Sequence, residues 1–208
     1  MTNFAQQERQ ALCDVFLQVG PGAPTLCEGW ATADLAAHLV IRERRPDAMP
    51  GALIPWFAGH TNNVLRATRD GSSWEDLVAR VRSGPPAAMR LADEQINSVE
   101  YFVHHEDVRR AGATAWKPRS LDPAEEAALW GRLRLMGRVL ARRAPTGLAV
   151  VAPGFGDATL KRGPAVVTLR GKPSELTLLV FGRGSHASID YAGDELSVER
   201  LRHASFGL

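Results

Sequence analysis

Residues 97–110 read NSVEYFVHHEDVRR and place two histidines and three acids within an otherwise helical pattern. Val99 and Val103 recur at the spacing of one helix face, so the stretch predicts a helix that packs into a core. Four residues separate Glu100 from His104. On an α-helix this places them about 40° apart around the axis and roughly 6 Å apart along it. Both side chains can therefore reach one metal ion.

Other polar residues of this helix are predicted to support such a site. Asn97 and Asp107 lie on neighbouring turns of the same face and are expected to hold the ligands in place or line the pocket. His105 points about 100° away from His104, so we expect it to lie outside the shared ligand set. Its expected role is to support the site or line the pocket by bridging to a carboxylate or to the small domain. A Glu and a His four residues apart are also common on solvated helix faces, where they only add support between turns.

A metal site needs a third protein ligand, and His38 is the candidate. It lies within DLAAHLV (34–40), beside Leu35 and Leu39, on a helix whose apolar residues should face the interior. Helix bundles build metal sites from inward side chains of facing helices. Two histidines and one carboxylate suit Zn²⁺ with an open fourth position, and also Fe²⁺, Ni²⁺ or Mn²⁺. The alternative is that His38 is a hydrogen-bonded core residue, and spacing alone leaves both open.

The chain changes character near residue 146, which predicts an α+β fold in two domains. Residues 1–145 show helical spacing, with Thr32, Ser73 and Asp122 as expected N-caps. Residues 146–208 are short β-branched segments between Gly and Pro, which predict a small α+β domain docked on the helices. Its expected strands are LAVVA, ATLKR, AVVTLRG, ELTLLVFG and HASIDYAG, and its expected closing helix is SVERLRHAS.

Composition excludes several classes of protein. The 208 residues carry a net charge of +2 with both signs mixed along the chain, which argues against nucleic acid as the partner. The longest apolar run, LTLLVFG, is too short to span a membrane, and the polar start MTNFAQQERQ does not resemble a signal peptide. Cys13 and Cys27 form no metal-binding or redox pair and are interpreted as reduced thiols. We therefore expect a cytoplasmic protein, and the sequence leaves a homodimer open.

The stretch TLCEGWATADLAAHL (25–39) resembles the signature of the mycothiol-dependent maleylpyruvate isomerase family, within the wider DinB-like superfamily. Members carry W-x-x-x-D-L-x-x-H-L at the start of the second helix and an E-x-x-x-H or H-x-x-x-H pair on a later long helix. The resemblance implies an N-terminal DinB-like four-helix bundle in which the matched histidines and glutamate bind a divalent metal, usually zinc. The matching residues are Trp30, Asp34, Leu35, His38, Leu39, Glu100 and His104.

The C-terminal stretch ELTLLVFGRGSHASIDYAGDELSVERL (175–201) is similar to the small C-terminal domain of the same family, which has a sterol-carrier-like α/β shape. Phe181, Gly182, Arg183, Gly193 and Asp194 carry this likeness. For an anionic substrate, Arg183 is the expected catalytic cation, with an exposed turn arginine as its alternative. The likeness is weakest over residues 47–90, where His60 is expected either to line the pocket or to face solvent.

The resemblance implies a chemistry as well as a fold. It predicts a metal-dependent isomerase or S-transferase that uses mycothiol, the thiol of actinobacteria, on a small electrophile. The metal would hold the thiolate, which is the nucleophilic form of a thiol. The alternative is a non-catalytic metal-binding or interaction protein, because the sequence places no second acid or base beside the metal.

Overall fold

The computed structural model describes residues 4–45, 47–48, 56, 58–87, 90, 93–112 and 116–204. The chain forms two compact units, Met1–Trp116 and Lys117–Leu208. Within the described residues there are eight α-helices and a four-stranded mixed sheet, so the predicted α+β class is confirmed. None of the described helices is long and apolar enough to cross a bilayer.

The described part of unit 1 is helical. Its core joins Leu12 and Phe16 to Leu35, Leu39 and Tyr101, all of which are buried. The first and last helices pack along each other, and the second packs against the third and fourth. The resemblance implies a four-helix bundle, and the described residues of unit 1 form five helices: α1 (Phe4–Val19), α2 (Thr32–Arg44), α3 (Ala58–Asp70), α4 (Trp74–Arg82) and α5 (Asp93–Ala111).

Local capping chemistry sets two helix starts as the sequence predicts. The Ser73 hydroxyl accepts a hydrogen bond from the backbone N–H of Asp76 at 3.1 Å. At the start of α6 (Pro123–Leu140), Asp122 accepts from the Glu125 N–H, and the Glu125 carboxylate accepts from the Asp122 N–H. This reciprocal pairing satisfies N–H groups that the first helical turn cannot bond internally.

The predicted cap of α2 is wrong by one residue. Thr32 is already helical, and Ala31 is the cap. The Thr32 hydroxyl donates instead to the Gly20 carbonyl at 2.5 Å, and the Asp34 carboxylate accepts from the Ala31 N–H at 3.0 Å. The threonine hydroxyl is thus used to fix the preceding loop, and the aspartate supplies the capping acceptor.

Unit 2 contains a mixed sheet of four strands, β1 (Gly147–Ala152), β2 (Gly156–Lys161), β3 (Val166–Arg170) and β4 (Asp190–Ala192). Their order in the sheet is β2-β1-β3-β4. The central strands β1 and β3 are parallel, and β2 and β4 pair antiparallel at the two edges. Leu148, Val150, Leu169 and Leu176 are buried at its core. Its described α-helices are α6 (Pro123–Leu140), α7 (Pro173–Leu178) and α8 (Glu195–Arg202).

Helix α6 belongs to unit 2, so the compact units divide at residue 116 and not at the expected position 145. The helix packs on α7 and β2 through its buried face. A Cβ on Gly137 would lie 2.9 Å from the Leu160 side chain, so this glycine permits the close approach of helix and strand. Leu129, Leu133 and Leu140 are buried, whereas Met136 is 37% exposed.

The prediction of a strand at ELTLLVFG is wrong, because this stretch forms α7 and the helical turn that follows it. Pro173 occupies the first turn of the helix, where its missing N–H costs nothing. All six residues of α7 are buried. An apolar run that is buried on every side shows neither a strand nor a helix period, so its pattern does not distinguish the two.

Candidate metal centre

The structure brings His38 of α2 together with Glu100 and His104 of α5. Glu100 Oε1 lies 3.3 Å from His38 Nε2 and 3.2 Å from His104 Nε2. One ligand atom from each of the three residues lies within 4.8 Å of the other two. The histidine rings meet edge to face, with centroids 5.4 Å apart. The two segments that supply the cluster are 62 residues apart in sequence.

Packing of α2 fixes the position of His38. Leu35 and Leu39 are buried on either side of it, so the helix is held by its apolar face. The Trp30 ring packs against the His38 imidazole with centroids 5.2 Å apart. His38 itself is partly exposed, with 23% of its side chain accessible. The cluster is therefore rigidly supported and reachable from solvent.

Burial and hydrogen bonding set the charge of Glu100. Burial alone would raise the pKa of this carboxyl, because water no longer stabilises its charge. The hydrogen bonds from His104 and His38, together with the Arg42 charge, outweigh burial and hold the Glu100 pKa well below its usual value. Glu100 is thus an ionised oxygen donor at neutral pH.

The two histidines differ in protonation. Burial lowers the pKa of His38, and the neighbouring His104 charge lowers it further, which outweighs its hydrogen bond to Glu100. Burial would also lower the pKa of His104, but its contacts with Asp107, Cys27 and Glu100 raise that pKa well above the ordinary value. The metal-free cluster therefore holds a neutral His38 and a protonated His104.

Asp107 and Cys27 lie behind His104. Asp107 Oδ2 accepts from His104 Nδ1 at 2.8 Å and from the Cys27 thiol at 3.2 Å. A proton held on Nδ1 by Asp107 directs Nε2 toward Glu100 and His38, as carboxylate partners of metal-binding histidines do. Asp107 thus contacts His104 on the side of the ring away from Glu100. Cys27, His104 and Asp107 also form a second group with metal-like spacing.

Sequence reasoning missed the position of Cys27. Its sulfur lies 3.9 Å from His104 Nδ1, although 77 residues separate the two in sequence. Interpretation as an ordinary reduced thiol rested on the lack of a second cysteine at ligand spacing. The available signal was its place in TLCEGW, three residues before Trp30 in the quoted signature.

Arg42 is a second residue that the sequence did not assign to the site. Its Nε lies 3.2 Å from Glu100 Oε1, and its Nη1 donates to Asn97 Oδ1. Asn97 in turn donates to Asp93 at 2.7 Å. Asn97 therefore contacts Arg42 and not the ligands, and it links the cluster to buried charges deeper in the unit. The arginine also places a positive charge at the edge of the cluster.

The remaining predicted site residues lie elsewhere. His105 Nδ1 pairs with Glu8 Oε2 of α1 at 2.9 Å, so it bridges to a carboxylate. His60 is exposed and pairs with Asp47 at 3.1 Å. Arg183 belongs to unit 2, where its guanidinium donates to the Phe181 carbonyl. Within the part of the chain that the structure describes, none of the three belongs to a potential ligand group.

The three donor atoms suit a divalent first-row metal ion of intermediate softness, such as Zn²⁺. Two imidazole nitrogens and one carboxylate oxygen are the protein ligands of a common class of catalytic zinc site, in which the fourth position stays open. The same donors also suit non-haem Fe²⁺ and other first-row ions, so the set does not select one metal.

Two solved structures share the fold of this chain. The crystal structure of the mycothiol-dependent maleylpyruvate isomerase matches it with a TM-score of 0.56 at 18% sequence identity, covering 92% of this chain and 96% of that chain. A histidine-to-alanine variant of that isomerase gives the same TM-score, identity and coverage. No protein-family profile and no curated protein sequence matches this chain. The likeness therefore supports a shared fold over nearly the whole chain.

Proposed function

We propose that the chain is a metal-dependent isomerase or S-transferase that uses a small thiol, with mycothiol the expected co-substrate, on a small electrophile. His38, Glu100 and His104 would hold the metal, for which Zn²⁺ is the best match. The observation that carries the proposal is the convergence of their three ligand atoms within 4.8 Å. A bound metal with an open position lowers the pKa of a coordinated thiol, which supplies thiolate at neutral pH.

The choice of a thiol reaction rests on the structural neighbours. Both are described as mycothiol-dependent maleylpyruvate isomerase, and the match covers 92% of this chain. Fold alone does not carry function, so the donor set is the independent argument for extending that chemistry here. His38, Glu100 and His104 would supply the ligands that this chemistry requires, and the partial exposure of His38 supports access from solvent.

The residues around the ligands have separate roles in this proposal. Asp107 keeps the Nδ1 proton on His104 and so directs Nε2 to the metal. Trp30 covers one side of His38 and excludes water there. Arg42 offers positive charge next to Glu100, where an anionic electrophile would approach. Arg183 stays a proposed catalytic cation for an anionic substrate.

Metal uptake is expected to release about one proton per ion near pH 7. The raised pKa of His104 keeps it protonated in the metal-free protein, and a metal ligand must be deprotonated. Affinity therefore rises with pH up to the pKa of His104 and falls by about tenfold per unit below it. Calorimetry of Zn²⁺ binding in buffers of different ionisation enthalpy measures this number. Binding heats that do not depend on the buffer would contradict it.

Replacement of Asp107 by asparagine is expected to weaken Zn²⁺ binding by roughly 10- to 100-fold, as loss of a histidine-orienting partner does. The substitution keeps the shape of the side chain but removes the charged acceptor of His104 Nδ1. Competition with a fluorescent chelator gives the affinity. Asp70→Asn, which changes an exposed carboxylate paired with Arg69, is the matched control and should leave the affinity unchanged.

The proposed function is tested by incubating the zinc-loaded protein with mycothiol and a panel of electrophiles that includes maleylpyruvate. We expect conversion of maleylpyruvate or consumption of thiol that stops when a chelator removes the metal. The His38→Ala variant should be inactive in the same assay. Stoichiometric metal without metal-dependent turnover on any member of the panel would overturn the enzyme proposal and favour a non-catalytic metal-binding or interaction protein.

A further inference from the structure

Unit 2 contains a cavity of about 540 Å³ that the proposed metal chemistry does not use. It lies outside the carboxyl ends of the parallel strands β1 and β3, which end together at Ala152 and Arg170. Open sheets commonly bind ligands at this edge, because the loops that follow parallel strands meet there. The volume also falls within the usual range of small-molecule pockets, about 300–1,000 Å³.

Two buried carboxylates brace the walls of this cavity. Glu126 of α6 accepts from the Ser174 N–H at 2.8 Å and from the Ser174 hydroxyl at 2.9 Å. Glu175 of α7 accepts from the Ser188 N–H at 2.8 Å. These bonds tie the start of α6, the start of α7 and the segment before β4 to one another. The cavity is therefore formed before any ligand arrives, which lowers the ordering cost of binding.

The lining combines an apolar wall with positive charge. Leu121, Pro123, Pro153 and Phe155 supply the apolar surface. Arg170 and Lys172 line the same cavity, and in the described part of the chain neither has an ion-pair partner. Both oxygens of Glu126 are already engaged by Ser174. The two cations are thus the groups left to meet an anion.

Two acidic groups limit the charge of that anion. Glu126 and Asp190 both line the cavity, and Asp190 lies directly opposite Arg170 in the pairing of β3 with β4. These two carboxylates balance the charges of the two cations, so a monoanion, which adds one negative charge, is favoured over a dianion such as phosphate, which adds two. The arginine fork also matches the planar geometry of a carboxylate, which accepts two parallel hydrogen bonds.

We propose that this cavity is a binding site for a small organic monocarboxylate with an apolar body, separate from the metal centre. The carboxylate would pair with Arg170 and Lys172, and the apolar body would pack on Phe155 and the proline walls. Binding at this site would not require metal, so it can be tested independently of the proposed enzyme activity.

The test is a titration of the ¹⁵N-labelled full chain with 2-naphthoate, in the presence of a chelator, followed by amide chemical shifts. We expect shifts at Phe155, Gly171 and Ser188, and at least tenfold weaker binding of the neutral analogue 2-naphthamide. Arg170→Met or Lys172→Met should each weaken 2-naphthoate binding by about five- to tenfold, since each removes a charge-assisted contact. Arg200→Met, an exposed arginine of α8 outside the cavity, is the matched control.

The proposed site would be overturned by chemical shift changes confined to other residues, by equal binding of acid and amide, or by unchanged affinity in both the Arg170 and Lys172 variants. Equal competition by inorganic phosphate would also overturn it, because a general anion site needs no apolar wall. His38→Ala should bind 2-naphthoate as the wild type does. That result would show that 2-naphthoate binding does not require the metal ligand His38. The cavity and the metal centre are therefore tested independently of each other.

Discussion

Replacement of His38 by alanine is expected to remove most of the bound metal and to weaken Zn²⁺ affinity by more than about 100-fold. Loss of a partner that merely orients a ligand costs roughly 10- to 100-fold, so loss of one of three ligands should exceed that range. The fold should persist, because Leu35 and Leu39 carry the packing of α2 and His38 is partly exposed. Elemental analysis after dialysis, together with chelator competition, measures the loss.

Two variants make this result specific. His60→Ala removes an exposed histidine that pairs only with a surface carboxylate among the described residues, and it should retain the full metal content. Glu100→Gln keeps the size of the side chain but removes the charged oxygen donor, so it should lose metal as His38→Ala does. Retention of stoichiometric metal by a folded His38→Ala protein would show that the three residues are not the ligand set.

The cluster of His38, Glu100 and His104 was predictable because two of its three residues lie close together in sequence. Glu100 and His104 are four residues apart on one helix, and helix geometry alone places them side by side. His38 could be added because its neighbours Leu35 and Leu39 indicate which way that helix faces. The site thus followed from two helix periods, with the family resemblance choosing between a ligand and a core histidine.

The residues that surround the cluster were not predictable in the same way. Cys27 meets Asp107 across 80 residues of sequence, and Arg42 of α2 meets Glu100 of α5 at 3.2 Å. Such contacts depend on which distant segments the fold brings together, and they leave no period in the sequence.

The difference between local and distant contacts also decided which parts of the fold could be predicted from sequence. Helix starts at Ser73 and Asp122 depend on bonds within four residues and were readable from sequence. The assignment of α6 to the sheet unit depends on contacts with α7 and β2, which lie later in the chain. The ELTLLVFG stretch was ambiguous because complete burial removes the alternation that distinguishes a strand from a helix.

Replacement of Arg9 by methionine is expected to lower the free energy of unfolding by about 3–5 kcal/mol, since it leaves buried charges without their partner. The Arg9 guanidinium binds both oxygens of Asp93, at 2.9 and 2.6 Å, and Glu43 at 3.0 Å. It also lies over the Tyr101 ring, 4.4 Å from the centroid. Urea denaturation at pH 7, with hydrogen exchange of the α1 and α5 amides as a local probe, measures the change.

The loss of unfolding free energy in the Arg9→Met variant should depend on pH. Burial would raise the pKa of Asp93, but its bonds to Arg9 and Asn97 hold that pKa below the ordinary value, so Asp93 stabilises the wild type above its unfolded pKa. Without Arg9, burial raises the pKa of Asp93, and it already raises the pKa of Glu43. As the pH falls, protonation of Asp93 and Glu43 neutralises the unpaired buried charges of the Arg9→Met variant. The difference in the free energy of unfolding between variant and wild type should therefore shrink from pH 7 to pH 5.

Two controls separate a buried network from charge in general. Arg82→Met breaks a largely exposed pair with Asp14 and should cost no more than about 1 kcal/mol, the usual range for surface pairs. Addition of Asp93→Asn to the Arg9 variant should recover part of the loss, because it removes one of the uncompensated carboxylates. A loss in Arg9→Met no larger than that of Arg82→Met would mean that water reaches these carboxylates, and that α1 and α5 are held together by their apolar contacts alone.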